Sequence, residues 1–376
     1  MAKKSSPLRS LVLFLLMLAG GMAFGYLIGG MFSDNPESLK VPGYFHLVWL
    51  ALLPLGYFIG IGWHELGHTL VGIGVGFEFR SFTIGPFSWE MEDEKLGFKW
   101  NKNLNILGGL ALCIPTGEEG LKKRFMWYIA GGPLASLLGA LLFGSLFFFT
   151  RSPGLGFGSY LWEAFCLANT MFHSLFFVAT IIPTYKGGFY SDGARLKNLL
   201  TQNLEGQIDV IMTSAIARSM SGTRPREWDV SGILHGLSLN SGSGYVPFLH
   251  SYLQKHYLDK GDMEQAREQL DLVLSLTEDL PEAIRSSFFL DEVIMRAGFE
   301  AQPELAQTAL EKFVPSIMVP KSLIEEAKGL VSRSQGDEEA AMAHFQEAQD
   351  SLSQHMDRGL AVAQRERLEK WLQAPQ

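Results

Sequence analysis

WLALLPLGYFIGIGWHELGHTLVGIGVG, residues 49–76, is uncharged up to Trp63 and then carries His64, Glu65 and His68. With the residues from Gly43 it is long enough to cross about 30 Å of hydrocarbon as a helix. Positions i and i+4 of a helix share a face, so both imidazoles of His64-Glu65-Leu66-Gly67-His68 can ligate one zinc ion, while Glu65, one step round, can reach its bound water. In a soluble helix the same string could be two ordinary histidines and a surface glutamate. Within an apolar segment that explanation is poor, because ionisable groups are expensive there and usually mark a site.

The surroundings are greasy as well. Of 376 residues, 47% are apolar and 19% charged, with a positive mean hydropathy of +0.12. Three further apolar stretches join the first: residues 10–32 after Lys3, Lys4 and Arg9, residues 125–150, and residues 157–183. Each is long enough to span, and Ala135, Gly139 and Gly144 would let helix backbones approach closely. Seven Lys and Arg residues lie between the second and third stretches, whereas the loops on the opposite side hold only Lys40 and Arg151. The positive-inside rule therefore puts both termini and the loop at 77–124 in the cytoplasm. The expectation is an integral, multi-pass protein of about four transmembrane helices in contact with lipid, in a bacterial inner membrane.

The chain falls into three parts: residues 1–42, a first helix and short outer loop; residues 43–200, a metal-dependent core; and residues 201–376, a soluble helical region. Up to residue 200 there are 15 basic and 12 acidic residues, and beyond it 16 and 27. So acidic a second part argues against nucleic acid, whose phosphates need a basic face, and leaves room for a protein partner. GDMEQAREQL (261–270) and GDEEAAMAHF (336–345) match at Ala266 and Ala341, Leu270 and Phe345, Val273 and Ala348. This is the small-then-large spacing of paired-helix repeats, with a degenerate copy near Leu305 to Leu310, and it reads as tetratricopeptide-like or as a generic all-α bundle. Phe87, Trp89 and Met91 alternate with polar residues before Phe98 and Trp100, which predicts a cytoplasmic-side β-hairpin.

Two histidines leave zinc short of a ligand. The two cysteines, Cys113 and Cys166, are far apart in apolar surroundings and form no zinc knuckle. Asp192, in the Tyr190-Ser191-Asp192-Gly193 turn after the fourth stretch, falls on the same membrane face as the late half of the second. It is preferred to His173, which lies among aromatics within the fourth stretch, although an Asp-Gly pair also suits a helix cap or turn.

Three features together resemble the intramembrane zinc metalloproteases of the site-2 protease class (peptidase family M50). They are HELGH in an apolar helix, AGGPLAS (130–136) opening the next span, and the Pro183 to Asp192-Gly193 stretch. The resemblance covers residues 43–200 and implies His64, His68 and Asp192 as zinc ligands and Glu65 as catalytic base. Its substrates would be membrane-spanning or membrane-associated proteins, held by Trp89 and Phe98 of the hairpin and by Thr180 and Pro183. Thr180 stands where the family commonly has Asn and Ser191 where it has Leu, and Tyr185-Lys186-Gly187-Gly188 looks inserted. The alternative is an inactive membrane scaffold whose helical repeats bind protein partners.

Overall fold

The structure, a computed structural model, describes residues 47–92, 95–101, 108–150, 156–186, 189–239, 242–278, 282–315, 319–355 and 357–373. The span expected over 10–32 lies outside the described residues. The fold is mostly helical with a small antiparallel sheet. Helix α1 (Val48–Gly74) carries the HELGH motif and leads into β1 (Glu78–Ile84), β2 (Phe87–Glu92), β3 (Lys95–Trp100) and β4 (Gly109–Ile114). Helices α2 (Leu121–Thr150) and α3 (Phe157–Ile181) follow, then the short hairpin of β5 (Tyr185–Lys186) and β6 (Phe189–Tyr190). The rest is helical: α4 (Asp192–Thr201), α5 (Leu204–Met220), α6 (Ser231–Ser238), α7 (Val246–Lys260), α8 (Met263–Leu276), α9 (Glu282–Gly298), α10 (Pro303–Glu311), α11 (Lys321–Ser334), α12 (Glu338–Asp350) and α13 (Arg358–Gln373).

Among the described residues two helices, α2 and α3, are long and apolar enough to cross a membrane. Helix α1 is 27 residues long, but it is not one of them, because His64, Glu65 and His68 lower the hydropathy of its second half. Contacts divide the chain into two compact units, Met1–His64 with Leu134–Val178, and Glu65–Pro133 with Ala179–Gln376. These units cut across the sequence division at residue 200.

In the first unit, glycines set the helix spacing. A Cβ on Gly56 would lie 3.0 Å from the Phe172 ring, and one on Gly60 would lie 2.9 Å from Phe176. Leu52, Ala164 and Ala168 are buried at this contact, while Leu138, Leu141, Phe148 and Phe149 are exposed.

In the second unit the sheet has the order β3-β2-β1-β4, so the expected hairpin forms as β2 and β3, and β1 and β4 extend it. Pairing of Phe87 with Trp100 and of Trp89 with Phe98, and of Phe82 with Trp89, collects the aromatics on one face. Ser88, Glu90 and Lys99 share the other, where Lys99 Nζ meets Glu90 at 3.1 Å. The helical region contains three consecutive hairpins, α7–α8, α9–α10 and α11–α12, starting at Val246, Glu282 and Lys321. The two Gly-Asp pairs act alike. Gly261 and Gly336 both end a helix or its turn at φ 83°, and Asp262 and Asp337 cap the next one. The matched residues Ala266, Leu270, Val273, Ala341, Phe345 and Ala348 are all buried, as are Ala306 and Ala309 of the middle hairpin. Leu305, in the degenerate copy, is exposed.

Helix α13 closes this region through Glu326, a wholly buried carboxylate that accepts from Arg367, Gln364 and Trp371. Half-buried His355, just before it, has its pKa pushed down to about 4 by burial and by Arg367 and Lys255. The unfolded chain takes up this proton near the ordinary 6.5, so the stability it contributes is complete above that pH and is lost as pH falls towards about 4. The full effect is about 3 kcal/mol. His355→Gln is expected to flatten the pH dependence of thermal unfolding between 6.5 and 4, leaving the contribution of His256, which burial also lowers. An unchanged slope in the variant would show that His355 is not the group responsible.

Candidate metal centre

Helix α1 runs unbroken through His64 and His68, which are 5% and 8% exposed. One helical turn separates them, so their positions relative to each other follow from the helix itself. The His68 Nδ1–H donates to the Tyr128 carbonyl at 2.8 Å, which leaves its Nε2 lone pair free of the ring proton. That Nε2 stands 3.5 Å from Asp192 Oδ2. His64 Nδ1 lies 2.9 Å from the Ser136 hydroxyl oxygen. Engaging Nδ1 of each ring leaves Nε2 as the nitrogen each can offer to a metal, the usual way in which outer partners orient metal-binding histidines. Ligand atoms of His64, His68 and Asp192 lie within 4.8 Å of one another, a spread that small side-chain rotations close around one ion. Two imidazoles and a carboxylate are a donor set that catalytic zinc uses, with a fourth position left for water.

The AGGPLAS stretch explains why α2 comes so near. A Cβ on Gly131 would meet the Gly67 carbonyl oxygen at 2.5 Å, so any side chain there would push the backbones apart. Tyr128, Gly131 and Ser136 therefore form one working surface of α2. Trp63 Nε1 adds a bond to the Ala135 carbonyl at 2.9 Å.

Asp192 arrives from a separate direction. The N-cap of α4 is Ser191, whose hydroxyl accepts from the Ala194 N–H, so the capping role open to Asp192 is filled by its neighbour. The same hydroxyl accepts from Thr184 N–H and donates to the Ile182 carbonyl. Before Asp192 the chain forms the β5–β6 hairpin, whose ends Ser191 ties together. Gly193 packs against the end of α3 so closely that a Cβ would fall 1.8 Å from the Ile181 carbonyl oxygen. The glycine of the Asp-Gly pair is required here for this close approach.

Glu65 lies against β4. A Cβ on Gly109 would sit 2.3 Å from Glu65 Cγ and 2.7 Å from Oε1, so the glutamate occupies the space that a side chain at position 109 would take. Gly109 pairs with Ile84 and Ile84 with Phe87, which puts Gly109 on the aromatic face of the sheet. Trp89 and Phe98 are on that face too, but two and three strands from β4, at about 4.8 Å per strand. Their rings pack against each other at a tilt, with centroids 5.6 Å apart. Of the other expected substrate contacts, Thr180 is half-buried near the end of α3 and Pro183 is exposed just before β5.

His173 is not in the metal group. It is fully buried, its Nδ1–H donates to the Asn169 carbonyl at 2.8 Å, and its ring fills the space beside Gly139. A second group, Glu325, His344 and Glu347, also has clustered ligand atoms. Its carboxylates are already engaged by Lys328, His344 and Lys321 at 2.8, 2.7 and 2.6 Å. Cys113 of β4 is buried, which pushes its thiol up to about 11 and keeps it neutral near pH 7.

Sequence reasoning missed Tyr128, Ser136 and Gly109. Ser136 lies within the AGGPLAS motif and so had a signal, whereas the Tyr128 contact is made by its carbonyl and leaves none. Comparison of the chain with protein-family models, curated proteins and solved structures found no match.

Gly109→Ala is expected to displace the Glu65 carboxylate while leaving His64, His68 and Asp192 in place. Metal binding should persist while any hydrolysis that depends on Glu65 falls by about 10²-fold, the usual cost of misplacing a reacting group by an ångström. Loss of metal binding in this variant, measured by elemental analysis, would show that Gly109 serves the ligands instead.

Proposed function

We propose that the protein is a zinc metalloendopeptidase of the site-2 protease kind, acting on membrane-spanning or membrane-associated proteins. The observation that carries the reading is the convergence of His64, His68 and Asp192 with Glu65 one residue from the first ligand. When bound, zinc supplies a Lewis acid that lowers the pKa of water and polarises a peptide carbonyl. His64 and His68 would hold it through Nε2, with Ser136 and Tyr128 fixing the rings, and Asp192 would complete the protein ligands. Glu65 is the group available to take a proton from the attacking water and pass it to the departing amine, as general bases of this kind do.

A transmembrane helix hides its carbonyls in hydrogen bonds, so it must open before it can be cut. An opened segment can add to the edge of a sheet as an extra strand. Strand β4, an outer strand of the described sheet, touches Glu65 at its first residue and suits this role better than the more distant β2–β3 hairpin. The membrane part of the reading is supported by the length and apolarity of α2 and α3 and by the exposed Leu138, Leu141, Phe148 and Phe149. We extend it to a multi-pass arrangement in which α1 also crosses the membrane.

Two measurements test this reading on the full chain in detergent. Elemental analysis is expected to find one zinc per chain, strongly reduced in His64→Ala and Asp192→Ala. Glu65→Gln is expected to keep the zinc yet lose cleavage of a panel of single-span substrates by roughly 10²- to 10⁴-fold, the contribution of a general base. Full zinc occupancy with no cleavage across a broad panel would favour a membrane scaffold whose helical hairpins bind protein partners.

A further inference from the structure

The segment around Asp192 is held by the helical region on both sides. Arg195, one turn after Asp192 on α4, forms a bidentate pair with Asp209 of α5, with Nε to Oδ2 at 3.0 Å and Nη2 to Oδ1 at 2.7 Å. Its guanidinium also lies over the Phe125 ring of α2, 4.6 Å from the centroid. Asp209 is 3% exposed. Two residues before Asp192, Tyr190 donates its hydroxyl to Glu205 of α5 at 2.7 Å, and its ring lies 6.0 Å from that of Tyr245, just before α7. Helices α4 and α5 meet at Gly206, where a Cβ would fall 2.1 Å from the Asn198 carbonyl oxygen. A single-turn displacement of α4 along α5 would break all of these contacts together.

We infer that Arg195 is a positioning residue for the metal ligand Asp192, and that α5 is thereby a structural part of the metal centre as well as the start of the helical region. The inference rests on the metal reading of His64, His68 and Asp192. Its physical basis is the rigidity of the guanidinium fork. A bidentate carboxylate pair with an aromatic stack fixes both the rotation and the height of the helix that carries it, which a flexible ammonium cannot do. Arg195 acts through the α4 backbone, as a partner one step removed from the ligand. Changes to groups that hydrogen-bond a ligand directly typically cost 10- to 100-fold in metal affinity, and a loss at the lower end of that range is expected for Arg195.

The test uses Asp209→Asn and Arg195→Lys in the full-length protein, with Glu326→Gln as a control. The control weakens another buried ion pair of the same unit, with Arg367, that makes no contact with α4. Zinc affinity is read by chelator competition, the ligand field by the visible absorption of the cobalt-substituted protein, and folding by thermal unfolding. Both test variants are expected to fold, to bind zinc at least tenfold more weakly, and to shift the cobalt spectrum, while Glu326→Gln keeps wild-type affinity and spectrum. A folded Asp209→Asn or Arg195→Lys with wild-type affinity and spectrum overturns the positioning role. Equal loss in Glu326→Gln also overturns it, because the effect would then be general destabilisation. If Asp209→Asn does not fold, Arg195→Lys carries the test; if neither folds, the pair is merely structural and the proposal fails. A wild-type chain that takes up no metal overturns the zinc reading and this inference with it, an outcome distinct from a loaded wild type beside an unaffected variant.

Discussion

The Gly67 carbonyl against the Gly131 α-carbon is the contact on which the candidate centre depends. On the membrane reading proposed above there is no hydrophobic drive to bring these helices together, and association relies on close packing and hydrogen bonds. A residue without a side chain lets α1 and α2 meet backbone to backbone, and only at that separation can the Tyr128 carbonyl reach His68 Nδ1 at 2.8 Å. One methyl group at position 131 would open that bond and release the His68 ring. The glycine thus acts on the candidate site without touching it.

The two sides of the site are built by different physics. His64 and His68 share a helix, so their spacing is set by local backbone hydrogen bonds and needs no distant contact. Asp192 has no such guarantee, since more than a hundred residues separate it from His68. Its position is secured by a Ser191 cap, a glycine pressed onto the end of α3 and a half-buried arginine paired with the buried Asp209. Removing the arginine would leave the buried Asp209 carboxylate uncompensated, which is strongly destabilising. Around α1 the polar bonds orient the rings of His64 and His68, whereas around α4 they place the helix itself.

How much could be read in advance follows the same division. His64, Glu65 and His68 were legible because their relation is local: five consecutive residues on one helix. The β2–β3 hairpin was legible because alternation is local as well, and so were the Gly-Asp starts at 261 and 336, which each combine a helix stop and a cap. Asp192 could be proposed from membrane sidedness and from resemblance, but the division of labour with Ser191 could not, because a cap is assigned by backbone geometry that Asp and Ser satisfy equally well. Tyr128 was invisible, since its carbonyl does the work and any residue has one. β1 and β4 were missed for a different reason: their sequences, EFRSFTI and GLALCI, are short and alternate weakly, and only pairing with the hairpin makes them strands. The expected membrane span at α1 met the opposite difficulty, in that the residues suggesting chemistry are the ones that lower its apolarity.

The sheet links these observations to the reaction proposed. Gly109, Ile84, Phe87 and Trp100 form one row across its four strands, and three of those positions carry large apolar side chains. A fourth at position 109 would continue the row, but it would displace Glu65, whose carboxylate fills that place. The row therefore ends in a carboxylate next to the helix turn that carries His64 and His68. On the protease reading, a strand laid along β4 presents alternate side chains to the apolar face while its backbone runs past Glu65. Register follows from this arrangement, because a slip of one residue would turn the apolar side chains to the polar face of Ser88, Glu90 and Lys99. Selection of the bond to be cut then depends on which residues of the opened segment can face the aromatic row, a discrimination by sidedness that needs no pocket for any one side chain.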